Sequence, residues 1–412
     1  MRRALVGVAL TAVALLFGLA TGFPLFYRLA YALALVLVVG MVWAWAGLLG
    51  LRVEVRRRTH RVQVGEPFEE RITVYNRWLL PKGWLEVRER SDLPGHSGGM
   101  AITLPARGFR SWRTVTAANR RGLYRLGPVE VRASDPFGLF TFRRAFLSQE
   151  TLLVYPAVVS IPFFRVLAAD TPGEGPLRQR SLALTPHAAS VRDYAYGDSL
   201  ARVHWPSTAR LGRLMVKEFD QGLGGDLWLL LDMHKGVQAG EGRDATDEWG
   251  ATIAASVAHR YLDAEMSVGL LAYGDRQVAV APKRGSGHIL RVLEELATVH
   301  ADGDTPLAEV LQQEGGRFSH MSILVIVTPS GDEGWPLALA PLLRRGVRPV
   351  TVLLEPRSFG RPEGAEGALE RLAVLGVPTY LVHRGDILAQ ALARPTGVPA
   401  YAGIRRQERG MV

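Results

Sequence analysis

The densest collection of chemically capable side chains in this sequence lies between residues 187 and 219, HAASVRDYAYGDSLARVHWPSTARLGRLMVKEF. Arg192, Tyr194, Gly197, Asp198, Arg202, His204, Trp205, Thr208 and Arg210 crowd into it, with Lys217-Glu218 close behind. Asp198 can form a charge-assisted pair with Arg192 or Arg202, and Gly197 permits a tight turn just before it. Trp205 offers a large face to bury, with one N–H to satisfy. His204 has no nucleophile or metal-ligand partner at useful spacing. The segment therefore reads first as a structural clasp, second as a docking surface, and only then as a catalytic centre. Elsewhere, familiar chemistry is missing. The chain has no cysteine, which removes disulfides, thiolate catalysis and Cys-based zinc sites together. It has no Gly-x-Ser-x-Gly, no His-Glu-x-x-His and no phosphate-gripping loop.

Together with Arg121-Gly-Leu-Tyr-Arg-Leu-Gly-Pro128 and Asp135-Pro-Phe-Gly-Leu-Phe140, the 187–219 segment resembles the bacterial domain-of-unknown-function 58 proteins. Their hallmark is similar to R-x-Y-x-x-G-D-x-x-R-x-I/V-H/D-W-x-x-[ST]-A-R, followed by Val-Lys/Arg-Glu. Pro206 departs from it, standing where many relatives carry a cation. The resemblance runs over nearly the whole chain. It implies a C-terminal domain similar to von Willebrand factor A domains and a partner, a MoxR-type AAA+ ATPase acting in assembly or maturation of other complexes.

These side chains need elements to position them. From residue 225 onward, Leu227–Leu231 is a continuous apolar run, as in a strand buried on both faces. Helical and strand patterns then alternate: helix 244–263, a hairpin of strands 268–273 and 277–281, helix 287–299, strand 323–328, helix 336–345, strand 347–354, helix 365–375 and strand 378–382. Asp386 is placed to cap a last short helix. Such alternation implies a mainly parallel, doubly wound α/β sheet. The A-domain resemblance implies a Mg²⁺ site of Asp-x-Ser-x-Ser, a loop Thr and a later Asp, all oxygen ligands suited to a hard cation. Here Asp232 stands at the first position and Thr305 can supply the loop hydroxyl, but His234 and Gly236 replace both serines and Pro329 replaces the last Asp. Asp304-Thr305-Pro306 also reads simply as a helix start. Two ligands from five leave Asp232 as a loop cap, and no cofactor is expected.

From residue 52 to 156 the apolar period is two: Val53 and Val55, Val62 and Val64, Ile72 and Val74, Leu85 and Val87. Turn signals separate the runs, which predicts an all-β, sandwich-like domain with no helix. The RGLYRLGP and DPFGLF stretches read as turns, with Tyr124, Phe137 and Phe140 plugging the core.

Before it, Ala4–Tyr27 and Leu29–Leu51 carry no formal charge. Roughly 20 apolar residues cross a bilayer, so these read as two spans joined at Arg28. A cleaved signal peptide is the alternative for the first span. Arg2, Arg3, Arg52 and Arg56–Arg58 flank one side against Arg28 on the other, so the positive-inside rule places both termini and the soluble domains in the cytoplasm of a cell-membrane protein. Residues 52–145 hold 18 Arg and one Lys against nine acids, net +10. Attraction to membrane lipids explains this placement, and no interleaved aromatic-basic motif points to nucleic acid.

The reading is therefore a hairpin (1–51), a β domain (52–156), a linking segment with the hallmark (157–224), an A-like domain (225–395) and a polar C-terminal tail (396–412). Its expected function is a membrane-anchored, non-enzymatic adaptor that binds protein partners. The alternative is a metal-assisted hydrolase in cell-envelope metabolism.

Overall fold

The structure is a computed structural model and describes residues 2–147, 149–166, 188–194, 203–219 and 225–396. The chain groups into two units, residues 1–157 with 293–299, and the remainder.

The first unit begins with helices α1 (Arg2–Thr21) and α2 (Pro24–Gly47). Both are long and apolar enough to cross a membrane. Helical backbone satisfies its own polar groups, the condition for lying in hydrocarbon. The turn between them is Gly22-Phe23, not Arg28 as the charge gap suggested: Gly22 takes φ +66 and Pro24 opens α2. Arg28 lies just beyond the first turn of α2. The predicted end of the second span at Leu51 also moves, because α2 stops at Gly47 and a strand begins at Leu51. The helices pack at small residues, Gly7 against Leu37 and Gly18 against Tyr27.

Nine strands follow: β1 (Leu51–Arg57), β2 (Arg61–Gln63), β3 (Pro67–Asn76), β4 (Lys82–Ser91), β5 (Met100–Leu104), β6 (Phe109–Ala117), β7 (Gly122–Ser134), β8 (Thr141–Phe146) and β9 (Glu150–Tyr155). One sheet has the order β1-β3-β6; the other runs β2-β9-β7-β4-β5, with β8 also on β7. Alternation puts Ile72 and Val74 of the first sheet in one core with Leu85, Val87, Val129 and Val131 of the second. Leu48 and Leu51 join this core, so α2 runs into the β domain without a linker. The Lys82 ammonium donates to the Ala46 carbonyl near the end of α2, and burial holds its pKa below the ordinary lysine value.

Two expectations fail here. The RGLYRLGP stretch is largely strand: β7 pairs with β9 over 122–126, then with β8 over 129–134, changing partner at Gly127 with φ +86. Phe137 does not plug the core but is 66% exposed, and Phe140 is only half-buried, whereas Tyr124, also half-buried, does pack against the core around Phe68 and Leu126. Phe68 and the aliphatic residues fill the volume instead.

The second stretch of chain contains β10 (Ala188–Asp193), α3 (Trp205–Leu211), β11 (Met215–Phe219), β12 (Leu227–Leu231), α4 (Thr246–Asp263), β13 (Val268–Tyr273), β14 (Gln277–Lys283), α5 (Ser286–Thr298), α6 (Leu307–Glu314), β15 (Ile323–Thr328), α7 (Ala340–Arg344), β16 (Arg348–Leu354), α8 (Glu366–Val374), β17 (Thr379–Val382) and α9 (Leu388–Ala391). Its six-stranded sheet has the order β14-β13-β12-β15-β16-β17, parallel except for β14. The central strands β12, β13 and β15 are buried along their whole length, as continuous apolar runs require. Trp228, Leu230, Leu324, Ile326, Phe318 and Trp335 pack in its core. Residues 158–166 pack here too, Phe164 lying against Tyr380 with ring centroids 4.9 Å apart. Asp386 does not cap α9; its carboxylate accepts from the His383 amide at 2.8 Å, and Ile387 is the cap residue.

Candidate functional site

In an open α/β sheet, ligands gather at the carboxyl ends of the strands. Asp232 sits there, one residue beyond β12, and Thr328 ends the neighbouring β15. Both Asp232 oxygens are used. Oδ1 accepts from the His234 amide at 3.0 Å, and Oδ2 accepts from the Thr328 hydroxyl at 2.6 Å. Thr328 in turn accepts from the Ser330 amide at 2.9 Å. Burial pushes the Asp232 carboxyl above the usual carboxylate range, while the bonds from Thr328 and His234 pull it back.

The rest of the presumed cation set does not assemble. A Cβ at Gly236 would lie 2.6 Å from the His234 ring, so the imidazole occupies the space a serine there would need. Thr305 is half-exposed and does not cap a helix, because Pro306 is the N-cap residue of α6. Asp304 does not cap α6 either and pairs with Lys235 at 2.5 Å. Asp232, ringed by internal donors and one imidazole, does not make the oxygen cage that Mg²⁺ demands.

The hallmark residues form a compact motif. β10 and β11 pair antiparallel, with Arg192 opposite Val216 and Val191 opposite Lys217. The Tyr194 amide donates to the Leu214 carbonyl at 2.9 Å, and that of His204 to Met215 at 2.7 Å. His204 caps α3, its Nδ1 lying 2.7 Å from the Ser207 hydroxyl. Thr208 accepts from the Met215 amide at 3.0 Å, fixing α3 to β11. Pro206 fits because the first helical turn needs no amide donor there. Gly197, Asp198 and Arg202 lie outside the described residues, as do the side chains of Arg192, Lys217 and Glu218. Arg210 is exposed. Trp205 departs from the expected buried face: it is 64% exposed, and Leu211 and Leu214 nearby are exposed as well.

A third cluster escaped sequence reading. Inside the β domain the side chains of Arg57, Glu70, Glu89 and His96 are almost wholly buried. His96 Nε2 lies 3.1 Å from both Glu70 and Glu89, its Nδ1 2.9 Å from the Thr116 hydroxyl. Arg57 lies 2.5 Å from Glu89 and 3.6 Å from Glu70. Burial alone would lower the imidazole pKa, but the two carboxylates outweigh it and lift it to about 9. Glu89, though buried, is held down at about 2 by His96, Glu70 and Arg57. Burial raises Glu70. Ligand atoms of Glu70, Glu89 and His96 lie within 4.8 Å of one another, spacing that a small cation accepts. A proton on Nε2 satisfies the same convergence, and the adjacent guanidinium opposes a second positive ion.

The signal for this cluster was parity. Glu70 shares its face of β3 with Phe68, Ile72 and Val74, and Glu89 its face of β4 with Leu85 and Val87. A charge in an inward register position demands a partner.

Comparison with known proteins agrees with the hallmark. Over 361 residues the chain is 27% identical to the uncharacterized protein YeaD of Bacillus subtilis (strain 168), covering 83% of this chain and 87% of that one. Similar solved structures include the C-terminal domain of Wzt, at 10% identity over 26% of this chain and 75% of that one, TM-score 0.21. Another is the CARDB domain of PF1109 from Pyrococcus furiosus, at 14% identity over 26% and 94%, TM-score 0.19. A third is the alkylpurine DNA glycosylase AlkC of Pseudomonas fluorescens, at 14% identity over 26% of this chain and 30% of that one, TM-score 0.19. Likeness at these scores carries nothing about activity. Residues 190–353, from the β10–β11 motif to the end region of β16, match the family described as Protein of unknown function DUF58.

Proposed function

We propose that this chain is a membrane-anchored, non-enzymatic adaptor whose α/β domain, similar to von Willebrand factor A domains, docks protein partners. The observation that carries the reading is the exposure of three apolar side chains, Trp205, Leu211 and Leu214, in the hallmark motif. Exposed tryptophan is a characteristic anchor of interaction hot spots, and exposed apolar side chains around one suit a docking surface better than a solvated loop. The internal use of Asp232 supports the non-enzymatic part, since the acid at the head of the sheet is already consumed. The partner class in this reading, a MoxR-type AAA+ ATPase with the adaptor serving assembly or maturation of other complexes, comes from the resemblance of the 187–219 hallmark. In this reading the hairpin crosses the cell membrane twice, and the distribution of Arg2, Arg3, Arg28 and Arg52 supports a cytoplasmic side for both termini and the soluble domains.

A pull-down from detergent-solubilised membranes tests this. The intact chain should recover an ATPase, and Trp205→Ala should cut that recovery by more than tenfold, a hot-spot loss of about 2 kcal/mol or more. Purified protein that turns over a substrate while recovering no partner would overturn the adaptor reading.

A further inference from the structure

The packing of α1 and α2 sets a depth scale. Gly7 faces Leu37 and Gly18 faces Tyr27, so position 3 of α1 lies level with about position 41 of α2. Arg3 is the first charge outside the hydrocarbon, and the 18 residues from Ala4 to Thr21 rise about 27 Å, close to the core thickness. The last two turns of α2, from Met41 to Gly47, therefore project about 10 Å beyond the acyl region, into the headgroup layer.

Parts of the β domain occupy that same layer. The turn after β7 climbs along α2: Ala133 lies against Gly47 and Asp135 against Gly40, while the Arg3 guanidinium approaches Gly138. At the tip of this turn stands Phe137, 66% exposed. The segment Arg77–Trp84, the β3–β4 loop and the start of β4, is tied to the end of α2 and the residues just after it through the Arg77 amide to the Gly50 carbonyl and Lys82 to Ala46. It presents Leu79 at 66%, Leu80 at 60% and Trp84 at 72% exposure. Trp84 is held at φ +47, a costly left-handed conformation for an aromatic residue, at the β4 irregularity between Lys82 and Leu85. The amide of Arg107, on the β5–β6 loop, donates to the Trp78 carbonyl. Between loop and helix an apolar crevice of about 220 Å³ opens, lined by Trp43, Gly47, Trp78, Leu80 and Pro81. Around this apolar end lie the exposed cations Arg52, Arg77 and Arg107.

We propose that this end of the β domain is seated in the bilayer, inserting Leu79, Leu80, Trp84 and Phe137 at the acyl–headgroup boundary while Arg52, Arg77 and Arg107 meet anionic lipid phosphates. Two observations choose a lipid surface over a protein partner. The patch is continuous with a helix that leaves the hydrocarbon at the same level, and its mixture of aromatic, leucine and arginine side chains is that of a membrane-interface belt. The inference rests on the hairpin crossing the bilayer.

The chain has no cysteine, so single introduced thiols report cleanly. The full chain carrying Leu79→Cys, Phe137→Cys, Val39→Cys or Leu123→Cys is spin-labelled and reconstituted into vesicles of phosphatidylethanolamine and phosphatidylglycerol. Collision with oxygen and with a water-soluble nickel chelate gives the depth of each label. All four side chains are exposed in the protein, so folding is not at stake. Labels at 79 and 137 should lose several-fold of the nickel access seen at 123, at the opposite end of β7, and 39 should be shielded further. Nickel access at 79 and 137 equal to that at 123, with 39 shielded, would overturn the seating alone. Free nickel access at 39 would overturn the hairpin reading itself. In vesicles of phosphatidylcholine alone, 79 and 137 should become more accessible; unchanged depth would overturn the role given to anionic phosphates.

Discussion

At the scale of single residues, the buried quartet of Arg57, Glu70, Glu89 and His96 makes the β domain sensitive to pH. His96 titrates at about 9 in the folded protein against an ordinary 6.5. Its contribution is thus complete below about 6.5 and is lost as pH rises through 9. Glu89 has the opposite sign: lowered from 4.5 to about 2, it stabilises above 4.5 and gives that up as pH falls toward 2. Glu70, raised by burial, costs some stability once ionised. Urea unfolding of the full chain should therefore show its highest midpoint between about pH 4.5 and 6.5, sloping within that window as Glu70 ionises and falling on both sides of it. His96→Ala should remove the alkaline limb and cost about 3–5 kcal/mol, because two buried carboxylates then face one guanidinium. A midpoint insensitive to pH between 7 and 10, measured on the unsubstituted chain, would contradict this assignment. Asp232 supports a second expectation. Calorimetric titration with Mg²⁺ should give no saturable heat, and a micromolar site abolished by Asp232→Ala would refute the reading of that carboxylate as an internal cap.

At the scale of elements, close packing of α2 on β7 decides how the hairpin and the β domain are joined. A Cβ at Gly47 would fall 2.7 Å from the Ala133 methyl. Gly47→Ala should consequently lower the unfolding midpoint, by the 1–3 kcal/mol typical of overpacking, and Ala133→Gly should restore part of the loss. Additive losses in the double variant would show that the two positions do not touch. What the sequence made legible follows from range. The buried strands β12, β13 and β15 announce themselves as unbroken apolar runs, and the half-buried strands of the β domain as alternation. Parity marks Glu70 and Glu89 as inward charges but does not name their partners, because the members of the quartet are spread from 57 to 96 and meet only once β1, β3 and β4 have found their registers. Arg121–Pro128 was misread because glycine and proline usually mark turns, whereas here they bend one long strand between two neighbours. The Asp232 site was legible in its losses, since His234 and Gly236 stand plainly in the sequence. The exposure of Trp205 was not, because an aromatic residue in a motif reads as core until its surroundings are known.

At the scale of the whole chain, no flexible hinge separates the second helix from the first β sheet. Only Leu48, Leu49 and Gly50 intervene, and Leu48 and Leu51 are packed into the core of the β domain itself. Mechanically this is a mast stepped into a hull rather than a buoy on a line. The β domain cannot swivel independently of α2, so any tilt of the helix must be carried into it with little slack. With the hairpin spanning a bilayer as proposed, a thinner one, which forces a long span to lean, should rotate the β domain against the membrane plane. In the proposed adaptor role, a partner pulling on the β domain would load the helical hairpin directly.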